Sequence, residues 1–165
     1  RSVSPSPNRD FEGTRITTVD WPILVIEFGA KIPSDAGFQA GLAHIESLMA
    51  NAARAREKLF TINDMTLVRE LMPSSQRKYA SEWMKRTAAL ARATGVGSAS
   101  VTPSPFLRGV LTALFVLQPP PTPAVFVATR RDAMLKAIQA LEAQGVRLPA
   151  RLIAYRDEDA VRRVG

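Results

Sequence analysis

The sequence contains no cysteine and only one histidine, His44. Without cysteine the chain forms neither a disulfide nor a zinc site with thiolate ligands. A single histidine is a poor metal or catalytic candidate, because a zinc site needs several ligands. No nucleophile elbow and no pair of carboxylates at catalytic spacing stands out either. We therefore expect a protein that is not an enzyme and that needs no metal and no organic cofactor.

Long apolar runs are also missing. No run reaches the roughly 20 residues that a membrane-spanning helix needs, and the N-terminus lacks the apolar core of a signal peptide. The 165 residues are 46% hydrophobic, which suits one domain with a core of its own. We expect a cytoplasmic protein without a transmembrane segment. Residues 1–10 are rich in Ser and Pro, so we expect a flexible tail there.

Acidic residues are scarce in the C-terminal half. Residues 1–72 hold eight Lys and Arg against nine Asp and Glu, whereas residues 73–165 hold fourteen against six. The basic half is either a charged surface that keeps the domain soluble or a surface for an anionic lipid headgroup, nucleotide or nucleic acid. Nucleic acid is the less favoured partner, because the arginines are dispersed and the aromatic residues fall on core stripes.

Hydrophobic periodicity predicts an α/β fold. Two runs at 12–18 and 22–28, separated by a turn near Asp20, predict an antiparallel hairpin. Gly95 and Gly97 are interpreted as a helix stop and turn. The remaining elements are predicted as strands at 58–64, 98–103 and 124–128, and as helices at 35–54, 74–94, 104–117 and 131–144. Because crossover connections pair strands in parallel, we expect a five-stranded mixed sheet with an N-terminal antiparallel hairpin and about four helices.

Three of the helices carry apolar or small residues at three- and four-residue spacing, which predicts one buried stripe on each. The predicted stripes are Phe38, Leu42, Ile45, Met49 and Ala52; then Ala80, Trp83, Met84, Thr87 and Ala91; and then Ala133, Met134, Ala137, Ile138 and Leu141. The domain predicted from these elements covers residues 11–145.

Residues 146–165 are basic and show no clear period, so we expect an irregular C-terminal extension. Residues 148–155 are expected to add an edge strand or to pack on the body of the domain. Asp157, Glu158 and Asp159 lie close to several arginines, and they are interpreted as part of a solvated tail and not as a metal cluster.

The stretch Pro73-Ser74-Ser75 begins the helix at 74–94. A serine hydroxyl at this position accepts from a free backbone N–H, so Ser74 or Ser75 is predicted to cap the helix. The free N–H groups of a helix start, together with Arg77, also make Ser74, Ser75 and Arg77 a candidate anion or phospho-acceptor site. The simpler alternative is an ordinary serine cap.

The helix at 104–117 is apolar nearly all round, with Arg108 as its one charge. A helix laid on a sheet buries one stripe, so a second apolar stripe predicts a partner or self-association surface. The alternative is that residues 148–153 of the C-terminal segment cover it. The two stripes are Leu107, Leu111 and Phe115, which we take as the candidate partner surface, and Val110, Ala113, Leu114 and Leu117.

Several segments together resemble the SpoIIAA-like or STAS (sulphate transporter and anti-sigma antagonist) superfamily, often described as STAS/SEC14. They are the strand LFTIND, the serine-led helix PSSQRKYASEW, and SPFLRG followed by an apolar helix, a proline-rich joint and AVFVAT. The resemblance covers about residues 11–145. In anti-sigma antagonists the helix start carries a phosphorylated serine between an aspartate and a glycine. Ser74 or Ser75 corresponds to it here, but Pro73 and Gln76 stand where the aspartate and glycine would be.

The resemblance implies a bacterial-type regulatory or scaffolding module that acts through protein–protein interaction, with a protein partner or self-association. The alternative function is a binder of an anionic ligand through the basic C-terminal half. A third hypothesis is an enzyme whose site combines Asp64, Ser75 and distant residues.

Overall fold

A computed structural model describes residues 8–164 of the chain. Six strands and five helices follow one another along these residues. In order they are β1 (Arg9–Phe11), β2 (Thr14–Thr17), β3 (Ile23–Glu27), α1 (Asp35–Ala55), β4 (Leu59–Asp64), α2 (Ser74–Thr94), β5 (Gly95–Val101), α3 (Pro105–Leu117), β6 (Ala124–Val127), α4 (Arg130–Ala143) and α5 (Ala150–Val164).

The strands form one mixed sheet, in which their spatial order is the same as their order along the chain. β1, β2 and β3 pair antiparallel, whereas β3, β4, β5 and β6 pair parallel. The helices α1, α2 and α3 supply the crossovers that parallel pairing requires. The α/β class and the mixed sheet are confirmed, but the described chain has six strands where five were predicted, and five helices where about four were predicted.

Different helices cover the two faces of the sheet. Ile23 and Val25 of β3 pack on the face that α4 and α5 cover, whereas Leu24 and Ile26 pack on the face that α1 and α2 cover. A strand buried on both faces is a continuous apolar run without alternation, and this is the pattern of β3. The stripe predicted for α4 is buried throughout, but Met84 of the α2 stripe is 38% exposed.

The helix stop predicted at Gly95 is confirmed, because α2 ends at Thr94 and Gly95 is its C-cap residue. The turn predicted at Gly95 and Gly97 is wrong. Both glycines lie within β5, which begins directly after α2. Steric crowding explains why residue 97 is a glycine, because a Cβ at Gly97 would lie 3.0 Å from Phe60 Cε2 and 3.2 Å from the carbonyl oxygen of Pro123. Glycine here permits the close approach of neighbouring chain and is not a turn signal.

The strand β1 corrects the prediction of a flexible tail at residues 1–10. Residues 9 and 10 belong to the sheet, and residues 1–7 lie outside the described part of the chain. A strand of three residues is too short to show a period, which is why it was missed.

The turn after β1 fastens the hairpin to α1. Glu12 has a positive φ of 53°, and its carboxylate accepts from the backbone N–H of Ser34 at 2.6 Å and from the Ser34 hydroxyl at 2.9 Å. The Ser34 hydroxyl in turn accepts from the Gly37 N–H at 3.1 Å and so caps α1. Both hydrogen bonds from Ser34 lower the pKa of Glu12.

The C-terminal extension is helical and belongs to the body of the domain. Leu148 and Leu152 are buried among the side chains of α4 and the sheet. The irregular extension predicted at 146–165 is therefore wrong where α5 lies, and α5 covers the face opposite α1 and α2. Among the described helices, none is long and apolar enough to cross a membrane.

Asp159 of α5 is buried, contrary to the prediction of a solvated acidic tail. Its carboxylate pairs with Arg131 of α4, and with Arg163 at 2.8 Å. A buried carboxylate needs such partners. The ion pair with Arg131 joins the last two helices.

Candidate functional site

A deep groove separates α2 from α3. Its volume is about 790 Å³. Ala80, Ser81 and Met84 form the α2 wall. The α3 wall consists of Leu107, Val110, Leu111, Leu114, Phe115 and Leu117. Met84 was predicted to face the core, and its exposure is explained by its position in this groove.

The groove opens where the parallel strands end. The segment after β3, residues 28–33, lines one side of the groove. This segment is apolar except for Lys31, which also lines the groove. The segment after β4 contributes Met65, Val68, Leu71 and Met72. Ligands of α/β proteins bind outside the carboxyl ends of the strands. Both the position and the shape of the groove are therefore typical of a ligand site.

Polar contacts fasten α3 at both ends. At its start, the Ser104 hydroxyl accepts from the Leu107 N–H at 3.3 Å, and Arg108 donates to the Thr102 carbonyl oxygen at 3.3 Å. At its end, the Ser81 hydroxyl donates to Gln118 Oε1 at 2.8 Å. The hydrogen bonds of Arg108 and Gln118 hold the two ends of α3 against neighbouring parts of the chain.

Near its C-terminal end, α3 also contacts the sheet. The ring of Phe115 stacks on the ring of Phe126 in β6, with 5.4 Å between centroids. This contact places α3 on the edge strand of the sheet, beside the groove.

The stripe of Leu107, Leu111 and Phe115, predicted as a partner surface, is the inner side of α3. Leu107 is buried, and the other two are half-buried in the groove wall. The most exposed large apolar residues of α3 are instead Phe106 at 72%, Val116 at 77% and Leu117 at 83%. The cover proposed from residues 148–153 is wrong, because Leu148 and Leu152 pack with α4.

The start of α2 differs from the serine cap that was predicted. Pro73 occupies the cap position, and no side chain caps the helix. Gln76 is buried and donates to Asp35 Oδ1 at 3.1 Å, while the Ser75 hydroxyl donates to the same oxygen at 3.4 Å. Asp35 of α1 therefore already supplies a negative charge at this helix start. Ser74 and Ser75 are exposed, and their phosphorylation stays a prediction.

Arg77, the third residue of the candidate anion site, lies on the groove rim. It donates to the carbonyl oxygen of Met72 at 2.8 Å. Lys31, Arg69 and Lys78 line the groove with it.

An ion-pair cluster also lies at the carboxyl ends of the parallel strands. Arg130 Nη1 is 3.1 Å from Glu27 Oε1 and 3.0 Å from Asp64 Oδ2. Hydrogen bonding to Arg15 is the largest cause of the lowered pKa of Glu27. Burial acts to raise the pKa of Asp64, but hydrogen bonds from Thr66 and Arg130 outweigh it and lower that pKa. Both carboxyls are thus ionised at neutral pH, in the state of structural ion pairs and not of a general acid.

The candidates for chemistry that the sequence offered are not brought together as a site. Asp64 pairs with Arg130, while Ser75 contacts Asp35. His44 packs against the ring of Phe11, with 5.5 Å between centroids. Within residues 8–164, no group of three or more His, Asp and Glu is placed to hold a metal ion.

Comparisons with protein-family models, with curated proteins and with solved structures find no match for this chain. The resemblance to the STAS superfamily accordingly stays a prediction, and the functional argument rests on the geometry.

A second, smaller cavity of about 530 Å³ lies between α4 and α5. Two of its three basic residues serve the fold, since Arg163 pairs with Asp159 and Arg156 pairs with Glu142. This use of charge inside the domain weakens the alternative in which the basic C-terminal half binds an anion.

The sequence contained one signal for the groove that was not used. Residues 65–72 connect β4 to α2 and are rich in Met, Leu and Val, although a polar connection is the rule for surface loops. Apolar residues in such a segment indicate a surface that something else covers, either the protein itself or a ligand.

Proposed function

We propose that this chain is a non-enzymatic binding module, and that the groove between α2 and α3 receives an apolar group. The observation that carries the proposal is an apolar groove of about 790 Å³ at the carboxyl ends of parallel strands. Ligand sites have volumes of about 300–1,000 Å³ and are lined mostly by apolar side chains with a few polar groups.

The energetics of the groove support an occupant. Full burial of one large apolar side chain is worth about 1.5–3 kcal/mol. The side chains of Leu111, Leu114 and Met84 remain partly open to solvent along the groove, so the empty fold forgoes part of this stabilisation. An apolar ligand would recover it by removing the same surface from water.

The test is fluorescence titration with the neutral apolar dye N-phenyl-1-naphthylamine. We expect the full chain to bind the dye, and Leu111→Glu to weaken binding at least about tenfold, since a charge in an apolar site is strongly unfavourable. Val116→Glu is the matched control, because it introduces the same charged residue on the same helix at a side chain that is 77% exposed and does not line the groove.

Folding of each variant is checked by circular dichroism and urea unfolding. If Leu111→Glu unfolds the chain, Met84→Trp fills the groove from the α2 side without adding charge. Dye binding that survives both variants, or that falls equally in Val116→Glu, would refute the groove as the site.

A second candidate function is regulation or scaffolding through a protein partner, as the STAS resemblance implies. It is favoured by two exposed apolar residues of α3 that do not line the groove, Phe106 and Val116. Light scattering tests its self-association form: we expect the full chain to associate and Val116→Glu to be a folded monomer. A full chain that is already monomeric would remove this form of the proposal.

A further inference from the structure

The rim of the groove carries an excess of positive charge. Lys31, Arg69, Arg77 and Lys78 line it, together with one carboxylate, Glu70. All five side chains are exposed. The apolar interior is therefore bordered by a local excess of three positive charges.

The four basic residues of the rim form no ion pair among the described residues, although the charge of Lys31 acts on the carboxylate of Glu12 and helps to lower its pKa. Arg130, at the same edge of the sheet, shows the contrast, because it pairs with two carboxylates. Arg77 uses one N–H on the Met72 carbonyl oxygen, which leaves other donors of its guanidinium for a ligand. Unpaired cations beside an apolar groove complement a ligand with an apolar body and a negative end.

One acidic residue bears on where a phosphate could bind. Asp35 accepts from the side chains of Ser75 and Gln76 at the start of α2, so its carboxylate lies where the N–H groups of the helix would otherwise attract an anion. The helix start that would attract a phosphate is already occupied by the charge of Asp35.

The size of the groove favours a small amphiphile over a macromolecular segment. A volume of about 790 Å³ lies within the range of small-molecule sites. The walls are mainly aliphatic, and the phenylalanines that line them, Phe28, Phe38 and Phe115, are half-buried. The groove therefore has little of the exposed aromatic surface on which nucleic-acid bases stack.

We propose that the groove binds a fatty carboxylate with a single chain. Its hydrocarbon chain lies between the apolar walls of α2 and α3, and its carboxylate lies among Lys31, Arg69, Arg77 and Lys78. This inference rests on the proposed function of the groove and names the class of ligand.

The experiment is displacement of N-phenyl-1-naphthylamine by dodecanoate, dodecanol and dodecyl phosphate, each below the concentration at which it aggregates. Individual exposed ion pairs are weak, so from the four cations together we expect dodecanoate to displace the dye at about tenfold lower concentration than dodecanol. Salt at 0.5 M should reduce this preference, because exposed charges are screened.

Substitution of the rim provides the matched comparison. The double variant Arg69→Gln/Lys78→Gln should lose most of the preference for dodecanoate and bind dodecanol as before. Lys85→Gln on α2 removes an exposed charge that does not line the groove, and it should change nothing.

The outcomes separate the inference from the proposed function. If dodecanoate and dodecanol displace the dye equally, the groove stands as a site and the fatty carboxylate is wrong. Stronger displacement by dodecyl phosphate also overturns the carboxylate. If the dye itself does not bind the full chain, the proposed function fails, and this inference fails with it.

Discussion

At the scale of single residues, His44 makes the stability of the folded chain depend on pH. Its ring packs against Phe11 of β1, and its pKa is lowered by burial and, less strongly, by the charge of Arg9. The folded state therefore disfavours the protonated imidazole. Because the unfolded chain then binds the proton more tightly, stability falls as the pH drops through about 6.5 towards the lower pKa of the folded state.

We predict that the free energy of unfolding decreases between pH 7.5 and pH 5.5, and that His44→Gln removes this decrease. The carboxyls of Glu12, Glu27 and Asp64 have lowered pKa values. The stability that they contribute is therefore lost only when the pH falls below about 4.5. Urea unfolding at both pH values measures the effect. Equal decreases in the two proteins would contradict the role of His44.

Within α3, Gly109 is a helix-interior glycine with open space around it. A Cβ at this position would have no atom within 4 Å outside the helix. Alanine is favoured over glycine in a helix interior by about 1 kcal/mol, so we predict that Gly109→Ala stabilises the protein by about 0.5–1 kcal/mol.

Gly97→Ala is the matched control for that prediction, since the same added methyl group would lie 3.0 Å from Phe60 Cε2 and 3.2 Å from the Pro123 carbonyl oxygen. It should destabilise the protein. Urea unfolding with unchanged slopes measures both changes. A loss of stability in Gly109→Ala would show that α3 is more crowded than the structure indicates.

The elements also show what periodicity can predict. The stripe of α4 was predicted correctly, because all of its residues pack in the core and the helical spacing alone was enough to identify them. Met84 was assigned wrongly to the core, because helical spacing predicts which residues share a face and not what lies opposite. The short strand β1 was also hard to predict because its pairing with β2 depends on a turn at Glu12 and Gly13, where φ is positive at both residues.

At the scale of the whole molecule, α5 is part of the core. Leu152 is 1% exposed, whereas its neighbour Ile153 is 38% exposed. We predict that Leu152→Ala lowers the free energy of unfolding by about 2–5 kcal/mol, as large-to-small core changes do. Ile153→Ala, with a similar loss of atoms, should cost less than about 1 kcal/mol.

Chemical unfolding of the two variants tests whether α5 packs on α4 in solution. Similar losses in Leu152→Ala and Ile153→Ala, both small, would indicate that α5 is detached. The sequence did not predict this helix, because its basic residues dominated the pattern and the ion pairs of Asp159 with Arg131 and Arg163 form only in the folded chain.

The width and direction of the groove could not have been predicted from the sequence for a similar reason. Its width depends on where α3 is held, and contacts far apart in the chain set that position, such as the hydrogen bond between Ser81 and Gln118. The apolar character of α3 was recognised, but the sequence does not state how far α3 lies from α2. Composition therefore indicated a surplus of apolar surface without indicating that it faces inward.

The order of the strands has a consequence for how the chain is made. Each strand lies next to the strand synthesised just before it, so the sheet can grow by one strand at a time as the polypeptide leaves the ribosome. The face with Ile23, Val25 and Ile62 is covered by α4 and α5, which emerge after all six strands of the sheet. Until then that apolar face of the nascent sheet is uncovered, and exposed apolar surface of this kind is prone to aggregation.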